Sequence, residues 1–554
     1  MSRAMGSRRS FPRRLGLPGR TGVALFAAGL GLMSPFAAAP ASAQTADAPA
    51  GTWATPPPLG PGDAPPAATG HPDTTYKKKN ECVQRSLGQD VKINFRPWGQ
   101  DYLQLDRAQQ IVRAATGSVG GDQKVAVIDT GVTPHPWFQG RVESGGDYVA
   151  TPDNGAQPGL QDCDGHGTEV AGIIAGNPQD PQVGFIGVAP DAHIVSYRQL
   201  SENYAKDDSP QQPSAPPSGG TGAPPSGGES QQPPAGSSNS QLPPSSGGGT
   251  GSGTAPQQDN KGDNRDLAKQ GTAGTLNTLA QIIRSIADTH SAGVINMSVD
   301  HCRAGTAPGD IQTGERQVQA AVRYAADNNI VVIAAAGNVS ENCPQNDQAD
   351  PNKPKSIVTP PWFADDVLSV GAIQEDGGVA PFSVHGPWVG VAAPGTKIVS
   401  LDPAEHSTGL ANLTIANGNP SPIQGTSFAA PYVAGVAALV RSMFPEMKAR
   451  DVVKRLKATA QHPAAPGGRD NFVGYGVIDP VAALTANLPG DTGNLALPKP
   501  VVQEAKLPPA DGISSTPMIV ALAGTGGGVA ALLITLFVVH TIRRNRSRSS
   551  PPAK

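Results

Sequence analysis

The sequence predicts a three-layer α/β fold with a mainly parallel sheet, and three observations carry that prediction. The runs Lys124-Val-Ala-Val-Ile-Asp-Thr-Gly-Val132, Gly293-Val-Ile-Asn-Met-Ser298 and Ile330-Val-Val-Ile-Ala334 are short and continuously apolar, as strands buried on both faces are. Between such runs lie segments with apolar residues at helical spacing; in 275–287 these are Leu276, Leu279, Ile282, Ile283 and Ile286. Turn-forming Asp129-Thr-Gly131 and Gly337-Asn338 close two of these strand regions, and the carboxyl edge of an open α/β sheet is where sites are built.

The rest of the chain divides by composition. Residues 1–43 carry six arginines ahead of an apolar run from about Gly22 to Met33, and Ala41-Ser-Ala43 offers a small-residue cleavage site. That is the pattern of a secretory signal peptide, and Ser7-Arg8-Arg9-Ser10-Phe11 also resembles a twin-arginine signal. Residues 44–120 read as a proline-rich arm and N-terminal extension, in which foldable sequence begins near Lys77 and a short helix pattern spans Leu105 to Ala115. The domain is expected over 121–486. It is interrupted at 201–271 by a Pro-, Ser- and Gly-rich stretch that cannot bury enough apolar surface to offset its ordering entropy, and so predicts a disordered loop.

A tether at 487–516 then leads to an uncharged apolar segment, 517–540. At 1.5 Å per residue that length spans a bilayer core of about 30 Å. Arg543, Arg544, Arg546 and Arg548 in the tail 541–554 predict that this end stays cytoplasmic. Both basic ends lack any acid, so the net charge of −3 hides a strongly acidic exported body, which argues against nucleic acid as a partner. All four cysteines, Cys82, Cys163, Cys302 and Cys343, fall in the exported part, where disulfides are expected, and no C-x-x-C pair suggests zinc or redox chemistry.

Three residues stand out chemically. Ser427, in Gln424-Gly-Thr-Ser427, opens a strongly apolar helix pattern, where unpaired N–H groups favour developing negative charge; Pro431 is read as lying in its first turn. Taken singly, Gly-Thr-Ser serves equally as a helix cap. Asp129 ends the first buried strand, and alone it reads equally as a turn cap. His166 lies in Asp162-Cys-Asp-Gly-His-Gly-Thr-Glu169, with Gly165 and Gly167 permitting a tight turn around it. The acids there, Asp162, Asp164 and Glu169, also allow a metal reading, but no second ligand-rich stretch complements them, so no metal or cofactor is expected.

The chain order Asp, His, Ser is that of subtilisin. Val127-Ile-Asp-Thr-Gly131, Asp164-Gly-His-Gly-Thr168, Ala336-Gly-Asn338 and Gly425-Thr-Ser-Phe-Ala-Ala-Pro431 together resemble the subtilisin-like serine proteases, peptidase family S8, over about 120–486. The resemblance implies a serine endopeptidase. His166 would take the proton of Ser427 as it attacks a peptide carbonyl, and Asp129 would hold the imidazole. The side-chain amide of Asn338 would serve the oxyanion hole, a donor whose loss in subtilisin itself costs on the order of 100- to 1,000-fold in turnover. By the same analogy the segments 297–300 and 334–337 would line the substrate cleft. Two departures stand out: Glu169 where the family often has histidine, and Val299-Asp300-His301-Cys302 in place of a glycine-containing cleft edge.

Signal peptide, proline-rich arm, four cysteines and a C-terminal span narrow the resemblance to the mycosins, membrane-anchored proteases of actinobacterial type VII (ESX) secretion systems. It implies protein or peptide substrates, docking on the secretion membrane complex, and a catalytic domain outside the cytoplasmic membrane. The alternative reading is a structural subunit of that complex with proteolysis secondary. Four cysteines permit three pairings; family analogy and loop placement imply Cys82–Cys163 and Cys302–Cys343.

Overall fold

The computed structural model describes residues 54–89, 91–150, 157–207, 273–305, 309–347, 350, 353–416, 418–488 and 516–546. The expected signal peptide, most of the 201–271 loop, most of the tether, and tail residues 547–554 lie outside the described residues.

Seven strands form the central sheet: β1 (Lys124–Asp129), β2 (Val142–Asp147), β3 (His193–Arg198), β4 (Val294–Met297), β5 (Val331–Ala335), β6 (Leu368–Ile373) and β7 (Val389–Pro394). Their order is β7-β6-β5-β4-β1-β3-β2, and every pairing is parallel. Side chains alternate between two cores. Val125, Val127, Ile194, Val294 and Ile333 face one layer, while Ala126, Ile128, Val195, Ile295 and Val332 face the other. This explains the unbroken apolar runs: a strand covered on both faces has no polar side to alternate with.

The first layer holds α1 (Leu105–Thr116), α2 (His166–Ala175), α5 (Thr426–Met443) and α6 (Ala449–Ala458). The second holds α3 (Leu276–Thr289) and α4 (Thr313–Asp327). Strand order reverses around β1, with β3 on one side of it and β4 on the other, the place in an open α/β sheet where chain segments leaving adjacent strands diverge.

The structure redraws two of the expected boundaries. Leu105, Ala108 and Val112 of α1, assigned from sequence to the extension, are fully buried in the first core, so the packed domain begins before residue 121. Residues 201–207, assigned to the disordered loop, are built in: strand Tyr204–Lys206 pairs antiparallel with Tyr76–Lys78 of the arm. Composition missed this because the pairing edge comes from residues far away in the chain. The arm itself runs along α3 and α4 without regular structure over 54–75. Its prolines cannot donate hydrogen bonds, but their carbonyls accept. Arg316 Nη1 donates to Pro58 O at 2.9 Å, Gln319 Nε2 to Pro57 O at 3.0 Å and Arg284 Nη1 to Pro65 O at 3.1 Å.

Near the carboxyl end, α7 (Thr516–Arg546) contains a stretch, Gly526–Arg544, long and apolar enough to cross a membrane. Leu532, Leu533, Ile534 and Phe537 in it are each more than half exposed, an apolar surface that costs free energy in water and none in lipid.

Candidate active site

Asp129 is the last residue of β1 and is fully buried, as is His166 at the start of α2. Gly167 brings the helix against the strand end: a Cβ there would lie 2.0 Å from Gly131 O and 3.1 Å from Asp129 Cβ. The two side chains therefore meet, with His166 Nδ1 2.7 Å from Asp129 Oδ1. Thr130 N–H donates to the same Asp129 oxygen at 2.7 Å. A carboxylate oxygen only accepts, so the bond places the proton on Nδ1 and leaves Nε2 as the basic nitrogen of the neutral ring.

The other acids of this turn are spent on holding it. Asp162 accepts from Thr130 Oγ1, Gly165 N and the N–H and hydroxyl of Thr168, at 2.6–2.8 Å. Asp164 accepts from Ser201 Oγ at 2.5 Å and Glu202 N at 2.9 Å. Glu169 forms an ion pair with Arg85, Nε to Oε1 at 2.6 Å, with both side chains wholly buried.

Ser427 is the second residue of α5 and is 3% exposed. Its neighbour Phe428 has its ring centroid 4.9 Å from that of the His166 imidazole, so the imidazole lies beside the helix start. Pro431 lies in the second turn of α5, not the first as the sequence reading placed it. A helix interior proline leaves the carbonyl four residues earlier without its usual donor, and here that carbonyl belongs to Ser427. Ser298 fills the gap, its hydroxyl donating to Ser427 O at 2.7 Å. Asn296 Nδ2 in turn donates to Ser298 Oγ at 3.0 Å, so the end of β4 holds the serine backbone in place.

Asn338 follows β5. Its Oδ1 accepts from the Thr426 N–H at 3.0 Å and the Thr426 hydroxyl at 3.1 Å. A backbone N–H can only donate, so the oxygen must face Thr426 and the NH2 group turns the other way. Asp129, His166, Ser427 and Asn338 are thus gathered from the carboxyl ends of β1 and β5 and the first turns of α2 and α5. An imidazole held by a carboxylate, a hydroxyl at a helix N-terminus and a side-chain amide are the kinds of group an acyl-transfer site uses.

Disulfides join Cys82 to Cys163 and Cys302 to Cys343. The first anchors the arm beside His166; the second links the chain segments leaving β4 and β5. Sequence reasoning missed Arg85 and Ser298. Arg85 belongs to arm strand Gln84–Ser86, which pairs with Leu413–Ala416, and besides Glu169 its Nη2 reaches Asp164 O at 3.0 Å. The one signal that pointed toward it was the unusual Glu169, a buried acid with no cation nearby in sequence. Pro431, read correctly as a second-turn residue, would have asked for a donor such as Ser298.

Comparison with known proteins identifies the family. Residues 120–476 match the model of the subtilase family, Peptidase_S8. Mycosin-1 of Mycobacterium tuberculosis is 36% identical over 81% of this chain and 87% of its own length. The crystal structure of MycP1 from Mycobacterium smegmatis superimposes with a TM-score of 0.61 at 34% identity, over 78% of this chain and 96% of that one. A chain in the structure of an intact ESX-5 inner membrane complex gives 0.60 at 33% identity, over 88% and 100%. With a fold and relatives that agree over most of its length, this chain is a subtilisin-like serine protease belonging to the mycosins of the subtilase family.

Proposed function

We propose that the chain is a membrane-anchored endopeptidase in which Ser427 is the nucleophile, His166 the general base, Asp129 its orienting partner and Asn338 an oxyanion donor. The observation that carries the reading is the 2.7 Å bond from His166 Nδ1 to Asp129, which leaves Nε2 to take a proton. Ser427 Oγ would add to a peptide carbonyl as Nε2 accepts its proton. The oxyanion would meet the Asn338 amide and the Ser427 N–H, and the proton would pass to the leaving amine. A fluorophosphonate probe should label Ser427, and His166→Ala should suppress labelling in folded protein. Labelling indifferent to His166 would remove the general-base assignment.

The proposal extends to place. One relative carries the description of an essential component of the type VII (ESX-1) secretion system, and another was solved within an ESX-5 inner membrane complex. The one helix among the described residues that is long and apolar enough to cross a membrane, with Arg543 and Arg544 at its end, supports a domain outside the membrane and a tail inside. Substrates would then be proteins arriving near the bilayer through such a system. In intact spheroplasts, external protease should digest the domain and leave a tag after Lys554 protected. A protected domain would overturn the topology, and normal secretion after deletion of 517–554 would sink the docking role.

A further inference from the structure

We propose that Asp162 is a positioning residue for the reaction: acting through Thr130, it fixes the placement of His166 against Asp129. This rests on His166 being the general base. Asp162 is half-buried in the turn that leads into α2. Its Oδ1 accepts from the Thr130 hydroxyl at 2.7 Å and from Gly165 N–H at 2.8 Å. Its Oδ2 accepts from Thr168 N–H at 2.8 Å and from the Thr168 hydroxyl at 2.6 Å. The first N–H groups of an α-helix have no partner inside the helix. At the start of α2, Asp162 takes two of them from outside, and a third, Gly167 N–H, donates to Thr130 Oγ1 at 3.0 Å.

Thr130 is the link. It is fully buried and directly follows Asp129. Its N–H donates to Asp129 Oδ1 at 2.7 Å, the same oxygen that meets His166 Nδ1. Its hydroxyl has a single proton, and with that proton on Asp162 the oxygen keeps its lone pairs for Gly167, the residue after His166. Thr130 thus grips Asp129 through its backbone and the start of α2 through its side chain, while Asp162 sets the direction of the hydroxyl. A second tie runs through the same acid: Thr168 Oγ1, which donates to Asp162, accepts from Thr133 N–H at 2.9 Å. The chemistry asks for a carboxylate. Each oxygen of Asp162 faces a backbone N–H, Gly165 on one and Thr168 on the other, and such a group only donates. An asparagine would turn its NH2 toward one of these donors whichever way it sat, and the brace would open on that side.

The test uses detergent-solubilised full-length protein carrying Asp162→Asn, Thr130→Val or Thr130→Ser. Three quantities are read on each: the rate at which a fluorophosphonate labels Ser427, the far-downfield proton resonance of the His166–Asp129 hydrogen bond, and the melting temperature. Misplacing a reacting group by about 1 Å costs on the order of 100-fold in rate. Asp162→Asn and Thr130→Val should therefore label about 10- to 100-fold more slowly per folded molecule, with the resonance shifted or lost. Thr130→Ser keeps the hydroxyl and should retain most of the rate together with the resonance. A merely structural role predicts otherwise: the melting temperature falls while rate and resonance in the folded protein stay at wild-type values, and that result would overturn the proposal. So would a Thr130→Val protein that matches Thr130→Ser, a comparison that decides the matter even where Asp162→Asn fails to fold. Labelling that persists in folded His166→Ala removes the general base and the proposal with it. Labelling that depends on His166 but not on Asp162 or Thr130 removes the proposal alone.

Discussion

The site has two sides, and they are held in different ways. On the His166 side, stability is borrowed from the arm. Cys82 is bonded to Cys163 across 81 residues of sequence, and Arg85 carries a guanidinium into the base of α2, where it meets Glu169 and the Asp164 carbonyl. On the Ser427–Asn338 side the braces come from the domain itself. Cys302–Cys343 spans 41 residues, and Ser298 and Thr426 supply neutral hydrogen bonds. One side depends on a buried charge pair between distant segments, the other on short polar contacts at the sheet edge. A buried pair is a poor source of net stability but is costly to break, because the remaining charge has no water to turn to. The arm is therefore an integral part of the wall behind His166.

The largest test of that contrast is Arg85→Met. Leaving the Glu169 carboxylate buried without its cation should cost about 3–5 kcal/mol in urea-induced unfolding. The double variant Arg85→Met, Glu169→Leu should regain most of the loss, and a double variant as unstable as the single one would show that the pair is not the cause.

The disulfides sharpen the comparison next. Chain-entropy arguments give about 4 kcal/mol for each, with the longer Cys82–Cys163 loop worth roughly 0.6 kcal/mol more. Paired serine variants at each bridge should therefore lose similar stability by the same measure. A loss confined to one bridge would show that only one side of the site depends on its disulfide.

Smaller again is Ser298→Ala, which leaves the Ser427 carbonyl buried without a donor at a cost of about 1–3 kcal/mol. Adding Pro431→Ala restores an N–H in the helix that can bond that carbonyl, and should recover part of the loss. No recovery would mean that Ser298 acts through Asn296 and not through Ser427.

The smallest effect concerns pH. His135, at the start of the helical turn Pro136–Phe138, accepts from Trp137 N–H on Nδ1 at 3.1 Å. Burial lowers its pKa below the usual 6.5, outweighing the opposing pull of Asp402. Protonation then favours the unfolded chain, so stability is full above about pH 6.5 and falls as pH drops toward the lowered value. His135→Asn keeps an acceptor for Trp137 and should lessen the fall in melting temperature between pH 7 and pH 5. An unchanged fall would assign the acid sensitivity elsewhere, with His385, also lowered by burial, as the next group to vary.

The apolar runs at β1, β4 and β5 and the helical spacing of α3 determined the layered architecture, because burial on two faces and burial along one stripe leave different periods in a sequence. The turns at Asp129, His166, Asn338 and Ser427 were legible for the same local reason: each rests on residues within a few positions of itself. The tertiary structure alone decided what crosses the chain. It set Arg85 against Glu169, Ser298 on the carbonyl freed by Pro431, Tyr204–Lys206 beside the arm, and Asp300 against Gly337. Such partners are chosen by where the folded sheet delivers distant segments, and a pairing between segments far apart leaves no period or spacing in either of them.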